Sequence, residues 1–261
     1  MTGVEAEVGS YPYLEEINQS IVRTIKSLSL LDSGRRVLDV GCGFGALGKE
    51  FRHRGFEVWG IERDPKATAL ASERLDQVIV ADLADRALLD AKLSGNQFDV
   101  IVFSDVLEHM LDPRGVVLTF LPYLAPAGRV IISVPNVANW QTRLGLLFGR
   151  FTYRDTGVLD RTHLRFFTQR SIIEFVETCE MHVESVDYTP MLTRAILPAL
   201  KKSVFHPARV ERADARVISD SLSYRAYLRF VLPLEQMIVR IAPGLLAFQI
   251  VVTASADRPM Q

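Results

Sequence analysis

Four apolar runs in this 261-residue chain each close on a carboxylate, and a glycine-rich turn follows the first. Val37-Leu38-Asp39-Val40 leads into Gly41-Cys42-Gly43-Phe44-Gly45. Phe56 to Ile61 ends in Glu62, Val78 to Ala81 ends in Asp82, and Phe98 to Phe103 ends in Ser104-Asp105. Glycine lacks a Cβ and tolerates positive φ, so such a turn lets backbone N–H groups approach a ligand closely. Acids aligned on one sheet edge accept hydrogen bonds and attract positive charge. Gly43 to Gly48 also reads as G-x-G-x-x-G, the dinucleotide pattern. In a dinucleotide site the following helix N-terminus faces a pyrophosphate, which an acid at Asp39 would repel. The acids suit a cationic ligand better, one with an amino group or a sulfonium. Glu62 stands roughly 20 residues past the glycines, where doubly wound folds place the acid that takes ribose hydroxyls.

Two histidines are candidate bases. His109 follows the fourth run directly, in Leu107-Glu108-His109, and so points near the crevice. His163 sits in Leu159-Asp160-Arg161-Thr162-His163-Leu164-Arg165-Phe166-Phe167-Thr168. Each also has a structural reading: His109 bonds the turn after the fourth run, or His163 belongs to an ion-paired loop packed by Phe166 and Phe167. His53, His182 and His206 read as surface or helix-end residues. No pair of histidines and acids has metal-ligand spacing, so no metal is expected. Cys42 and Cys179 are too few for a disulfide framework and read as buried thiols in a reducing compartment.

The elements that must position these groups follow from periodicity. Leu14, Ile17, Ile21, Ile25 and Leu28 form a helical stripe over Leu14 to Leu31, placed to cover the cleft. A helix runs from about Ala46 to Arg54. Asp64-Pro65 and Asp112-Pro113 are helix starts, the second before Val116 to Leu124. Gly128 to Val134 is a fifth strand, a helix follows from Thr168 to Glu180, and Met181 to Tyr188 is a sixth strand. Ala247 to Thr253 is β-rich and supplies a seventh. This alternation predicts an α/β fold, a doubly wound and mostly parallel sheet with helices on both faces. Residues 1–189 form the core with its N-terminal helix and a lid insertion near 136–167. Residues 190–246 form a helical insertion, and 247–254 the last core strand.

Composition narrows the partners. A hydrophobic content of 48% with 23% charged residues is ordinary for a soluble domain. A net charge of -1 argues against a nucleic-acid partner. Residues 1–10 carry Glu5 and Glu7 and no apolar run, so a signal peptide is not expected, and the predicted location is cytoplasmic. Tyr227, Val231, Leu234, Met237, Ile238 and Ile241 form an apolar stripe that Pro233 interrupts, with Lys201, Lys202, Arg209, Arg212 and Arg216 upstream. Two readings of 223–246 stand open: peripheral contact with a membrane surface, or packing on the domain or a second subunit. The oligomeric state is likewise open.

With these motifs in place, the chain resembles the class I S-adenosylmethionine-dependent methyltransferases over roughly residues 13–190. The likeness rests on Val37 to Gly45, the Gly60-Ile61-Glu62 and Ala81-Asp82 strand ends, and Phe98 to His109. Leu107-Glu108-His109 is similar to methyltransferases of the ubiquinone-biosynthesis type. Val134 to Thr168 resembles, more loosely, methyltransferases associated with glycan assembly. The resemblance implies a seven-stranded sheet whose last strand runs antiparallel between strands five and six. It implies S-adenosyl-L-methionine as cofactor, with Gly41, Cys42, Gly43 and Gly45 around its methionine portion and Asp39 toward its amino group. Glu62 would take the ribose, Arg63 would border the adenine, Asp82 would accept from the adenine amino group, and Leu83 would pack on the ring. Ser104 and Asp105 would stand at the crevice, Asp105 alternatively only capping the next segment. The expected reaction is O-methylation of a small molecule, a sugar or a lipid-linked saccharide, with His163 or His109 as base. An NAD-dependent oxidoreductase and a catalytically silent partner protein are the alternatives.

Overall fold

The structure, a computed structural model, describes residues 18–28, 35–191 and 227–256. Seven strands form one sheet: β1 (Arg36–Val40), β2 (Glu57–Glu62), β3 (Gln77–Val80), β4 (Phe98–Ser104), β5 (Leu124–Pro135), β6 (Met181–Pro190) and β7 (Ala247–Ala256). Their order is β3-β2-β1-β4-β5-β7-β6. All pairings are parallel except those of β7, which runs antiparallel to both β5 and β6. The expected fold is therefore the observed one. The winding reverses between β1 and β4, and ligands bind outside the carboxyl ends of strands at such a switch point.

Side chains along a strand alternate between sheet faces, and two hydrophobic clusters follow from that. Leu38, Val40, Ile101, Phe103 and Ile132 face one side; Val37, Val58, Val100, Val102 and Ile131 face the other. Because helices cover both faces, β4 reads as an unbroken apolar run, and Val100 to Phe103 are at most 1% exposed.

The connecting helices start where their caps dictate. Helix α1 is Gln19–Leu28 and α2 is Ala46–Arg52. Asp64 caps α3 (Pro65–Ser72) by accepting from the N–H groups of Lys66 and Ala67. Helix α4 is Arg86–Leu93. Asp112 caps α5 (Pro113–Phe120), which stops short of the expected Leu124 because Leu121–Tyr123 tightens into a 3₁₀ turn around Pro122. Strand β5 then starts earlier than expected, at Leu124. Helix α6 is Trp140–Leu147, capped by Asn139. Helix α7 is Gln169–Thr178, with a capping box between Thr168 and Ser171.

Other expectations shift or fall outside. Leu14, Ile17 and Leu31 lie outside the described residues, as do residues 1–10, His206, Arg225 and the basic residues from Lys201 to Arg216. Of the 190–246 insertion, residues 190–191 and 227–246 are described. A π-helical segment, Tyr227–Val231, gives way next to Pro233 to α8 (Leu232–Val239); Pro233 occupies the first turn of α8, where its missing N–H is no loss. No described helix is long and apolar enough to cross a membrane.

Candidate active site

A cavity of about 270 Å³ opens at the carboxyl ends of β1 to β4. Its walls include Gly41, Glu62, Arg63, Asp82, Leu83, Asp105 and His109, all singled out by sequence, together with Thr162 from the insertion. The chain reaches this geometry by ending each strand on an acid at the same edge.

Glu62 is 7% exposed and held by three backbone donors. Its Oε2 accepts from Gly43 N–H at 3.1 Å, and its Oε1 accepts from Arg63 and Asp64 N–H at 2.8 and 2.9 Å. The glycine turn thus fixes the rotamer of the acid. Asp82 is more exposed; it accepts from Ala84 N–H at 2.9 Å and faces Arg63 at 3.8 Å. Gly41 has φ +72°, and a Cβ there would meet Val106 Cγ2 at 2.7 Å. Only glycine lets the backbone pass so close to the cavity wall.

Asp105 has a positive φ of 54°, which is uncommon for a residue with a Cβ. A polar network locks it. Ser133 Oγ donates to its Oδ1 at 2.9 Å, and Gln249 Nε2 donates to both carboxylate oxygens at 2.8 and 2.7 Å. Asn18 Nδ2, at the head of α1, donates to Gln249 Oε1 at 3.2 Å. Sequence reading missed Ser133, Gln249 and Asn18. A signal existed for two of them, since Ser133 and Gln249 are polar breaks inside the apolar runs of β5 and β7.

Asp39, Cys42, Gly43, Gly45 and Ser104 are not among the residues on the cavity wall: Cys42, Gly43 and Gly45 form the rest of the glycine turn, and Asp39 is buried in β1 beneath it. Cys42 is buried and its Sγ points to Gly43 O at 3.8 Å. Burial, then Asp39 and Glu62, keep this thiol protonated. Gly45 heads α2 at φ 73°, where a Cβ would press on Ala71 Cα at 3.1 Å. Asp39 is 1% exposed and its Oδ2 has no hydrogen-bond partner among the described residues. Burial, and secondarily Glu62, raise its carboxyl to about 7, partly offset by a backbone bond from Gly48. A raised acid favours folding fully below its unfolded value and loses that contribution as pH rises through 7. In the cofactor-free protein, Asp39→Asn should therefore stabilise at pH 8 relative to pH 5 by more than about 1 kcal/mol. Urea unfolding at both pH values checks this; an equal effect at both would mean that Asp39 ionises normally.

The two histidines meet. Their rings stand T-shaped with centroids 4.8 Å apart. His163 is buried and its Nδ1 lies 3.2 Å from Val158 O. A carbonyl only accepts, so Nδ1 carries the hydrogen and Nε2 the lone pair. His109 Nδ1 lies 3.3 Å from Thr162 O and 3.2 Å from Thr162 Oγ. That hydroxyl already donates to Asp160 at 2.7 Å, so it too accepts from Nδ1–H, and Nε2 is again the lone-pair nitrogen. Burial lowers both histidines below their ordinary value, with His163 adding to the effect on His109. Only His109 lines the cavity; His163, expected as a lid residue over the cleft, packs behind it.

Glu108 completes the cluster. It is 1% exposed, neither carboxylate oxygen has a partner, and burial followed by Asp105 pushes its carboxyl well above the usual range. One donor atom from each of Glu108, His109 and His163 lies within 4.8 Å of the others. Two imidazole nitrogens and a carboxylate form a set able to hold a divalent cation. The spacing argument against any metal ligand set therefore misses a cluster that the fold assembles. The insertion brings His163 in by donating Leu164 and Arg165 N–H to Glu108 O at 2.7 and 3.0 Å.

Comparisons with known proteins agree with this geometry. A family model described as "Methyltransferase domain" matches residues 13–202. A ubiquinone biosynthesis O-methyltransferase of Ralstonia nicotianae is 36% identical over 190 residues, covering 70% of this chain and 79% of its own. One from Psychrobacter cryohalolentis is 34% identical, covering 62% and 66%. Among solved structures, a SAM-dependent methyltransferase from Archaeoglobus fulgidus superposes with TM-score 0.55 at 14% identity, covering 90% of this chain and 93% of that one. Magnesium protoporphyrin IX methyltransferase from Synechocystis, with bound SAH, gives 0.53 at 14% identity, covering 93% and 89%. The chain belongs to the class I S-adenosylmethionine-dependent methyltransferases. S-adenosylmethionine is its cofactor, and the dinucleotide alternative falls away.

Proposed function

We propose, from that membership, that this enzyme methylates a hydroxyl of a small molecule, a sugar or a lipid-linked saccharide, with His109 as general base. The supporting observation is His109 at the cavity wall, neutral and with its lone pair on Nε2. An alcohol must lose its proton as its oxygen attacks, whereas an amine needs only to be neutral. The relatives carry O-methyltransferase names, which favours oxygen.

The residues present fit the cofactor. An unpartnered buried oxygen on Asp39 and the acids Glu62, Asp82 and Asp105 suit a positively charged nucleoside rather than a pyrophosphate. When bound, that cofactor supplies a sulfonium methyl group open to in-line displacement. Glu62 would hold the ribose hydroxyls, Asp82 and Leu83 the adenine, and Asp39, beneath the turn, would answer the amino group. Asp105, clamped by Ser133 and Gln249, would fix the floor beside the acceptor. His109 would hold the acceptor's proton at Nε2, with His163 and Thr162 keeping its ring in place. The exposed Phe230, Leu234, Met237 and Ile241 support peripheral contact with a membrane through 223–246, and a net charge of -1 gives nucleic acid no footing.

A labelled-methyl assay tests the proposal against matched alcohol, amine and carboxylate acceptors, soluble and lipid-linked. Alcohols should be methylated and their turnover should depend on His109. Methylation confined to amines would overturn the reading.

A further inference from the structure

A second cavity, of about 340 Å³, lies between the insertion and the β6 and β7 ends, with Asn139, Thr142, Arg150, Thr152, Arg154 and Phe248 on its walls. Among the described residues no carboxylate lines it. The insertion's other arginines are engaged: Arg143 donates to Ala138 O, Arg161 pairs with Asp155 at 2.8 Å, and Arg165 donates to Leu111 O. Arg150 and Arg154 have no ion pair among the described residues. Two guanidinium groups beside threonine hydroxyls, with no acid among the described lining residues to neutralise them, form a site for a phosphoryl group, which guanidinium binds through paired N–H donors.

Its position ties this cavity to the reaction. Val158 and Leu159 line it, Thr162 lines the cofactor cavity, and Val158 O accepts from His163 between them. One short loop thus contributes residues to the walls of both cavities. On the outer side of α6, Leu147 and Phe148 are 77% and 68% exposed, an apolar border next to the two arginines.

We infer that this cavity binds the phosphate or pyrophosphate group of the methyl acceptor, so that the acceptor is a phosphate ester. The inference rests on the hydroxyl-methylating reading above and narrows its substrate class. The phosphoryl group belongs either to a lipid carrier or to a soluble sugar phosphate, and the test separates the two.

Full-length protein saturated with SAH is titrated with inorganic pyrophosphate by calorimetry at low ionic strength. It is then mixed with phosphatidylcholine vesicles, with and without a polyprenyl phosphate. Pyrophosphate should bind, and R150Q and R154Q should each weaken it about tenfold while leaving SAH affinity unchanged. Unchanged SAH affinity also certifies that the variants fold. Arginine-dependent capture by the polyprenyl phosphate vesicles supports the inference with a lipid carrier as source; arginine-dependent pyrophosphate binding without it supports a soluble one. The inference is overturned if wild type binds neither probe, or if the double variant binds both as well as wild type. Equal binding to plain vesicles by wild type and double variant, with no arginine-dependent pyrophosphate binding, assigns the face to the exposed apolar residues and also overturns it. Hydroxyl methylation that persists when pyrophosphate binding is absent removes this inference alone and leaves the proposed function standing.

Discussion

His109→Ala should lower turnover of a hydroxyl acceptor by about 10²–10⁴, the usual contribution of a positioned base, with SAH affinity nearly unchanged. The reason is positional: His109 lines the cavity, but the acids that suit the nucleoside belong to other strand ends. The pH profile carries a second signature. Burial and His163 lower the His109 value, Arg63 lowers it further, and Asp160 and the bond to Thr162 raise it, with lowering the net result. The neutral, competent form therefore persists below the ordinary histidine value of about 6.5. Turnover should stay level as pH falls to that value and decline only below it, and the variant should lose this limb. His163→Ala should cost less, because His163 packs edge-on to the His109 ring and is not on the cavity wall. A chelator arm completes the test. If EDTA abolishes wild-type turnover and a divalent cation restores it, Glu108, His109 and His163 are ligands and the base assignment fails.

The strands were legible because each buried run carries a period or an apolar block that fits a sheet covered on both faces; the antiparallel direction of β7 left no such mark. The acids were legible for the same reason. Parallel pairing places the carboxyl ends of β1 to β4 on one edge, so Asp39, Glu62, Asp82 and Asp105 had to gather there. What remained hidden depends on contacts between distant segments. Glu108 and His163 share no local pattern, and only the backbone bonds from Leu164 and Arg165 bring them together. The clamp on Asp105 draws Ser133 from β5, Gln249 from β7 and Asn18 from α1. Polar residues inside apolar strands marked two of these positions without naming their partner. Gly43 and Gly45, expected to shape the turn beside the ligand, also have structural tasks that the sequence does not show: one donates to Glu62 and the other packs on α3.

The bond from Gly43 to Glu62 bears on the expectation for Glu62→Ala. Affinity for SAH should fall by about 1.5–3 kcal/mol, roughly 10–150-fold, the range for a hydrogen bond to a charged group. Two causes contribute. The ribose hydroxyls lose their acceptor, and the N–H groups of Gly43, Arg63 and Asp64 lose theirs, which loosens the turn. Titrating wild type and variant with SAH and with its 2′,3′-dideoxy analogue separates the causes as a double-substitution cycle. A direct ribose contact makes wild type prefer SAH strongly while the variant treats the two alike. Pure loosening of the turn weakens both ligands by the same factor and leaves the preference intact. The cavity favours the first outcome, because Glu62 forms its wall with the carboxylate already fixed by the backbone. An acid held this rigidly pays little to order itself around a ligand, so the affinity it confers comes from contact. Retained preference in the variant would remove Glu62 as the ribose acceptor.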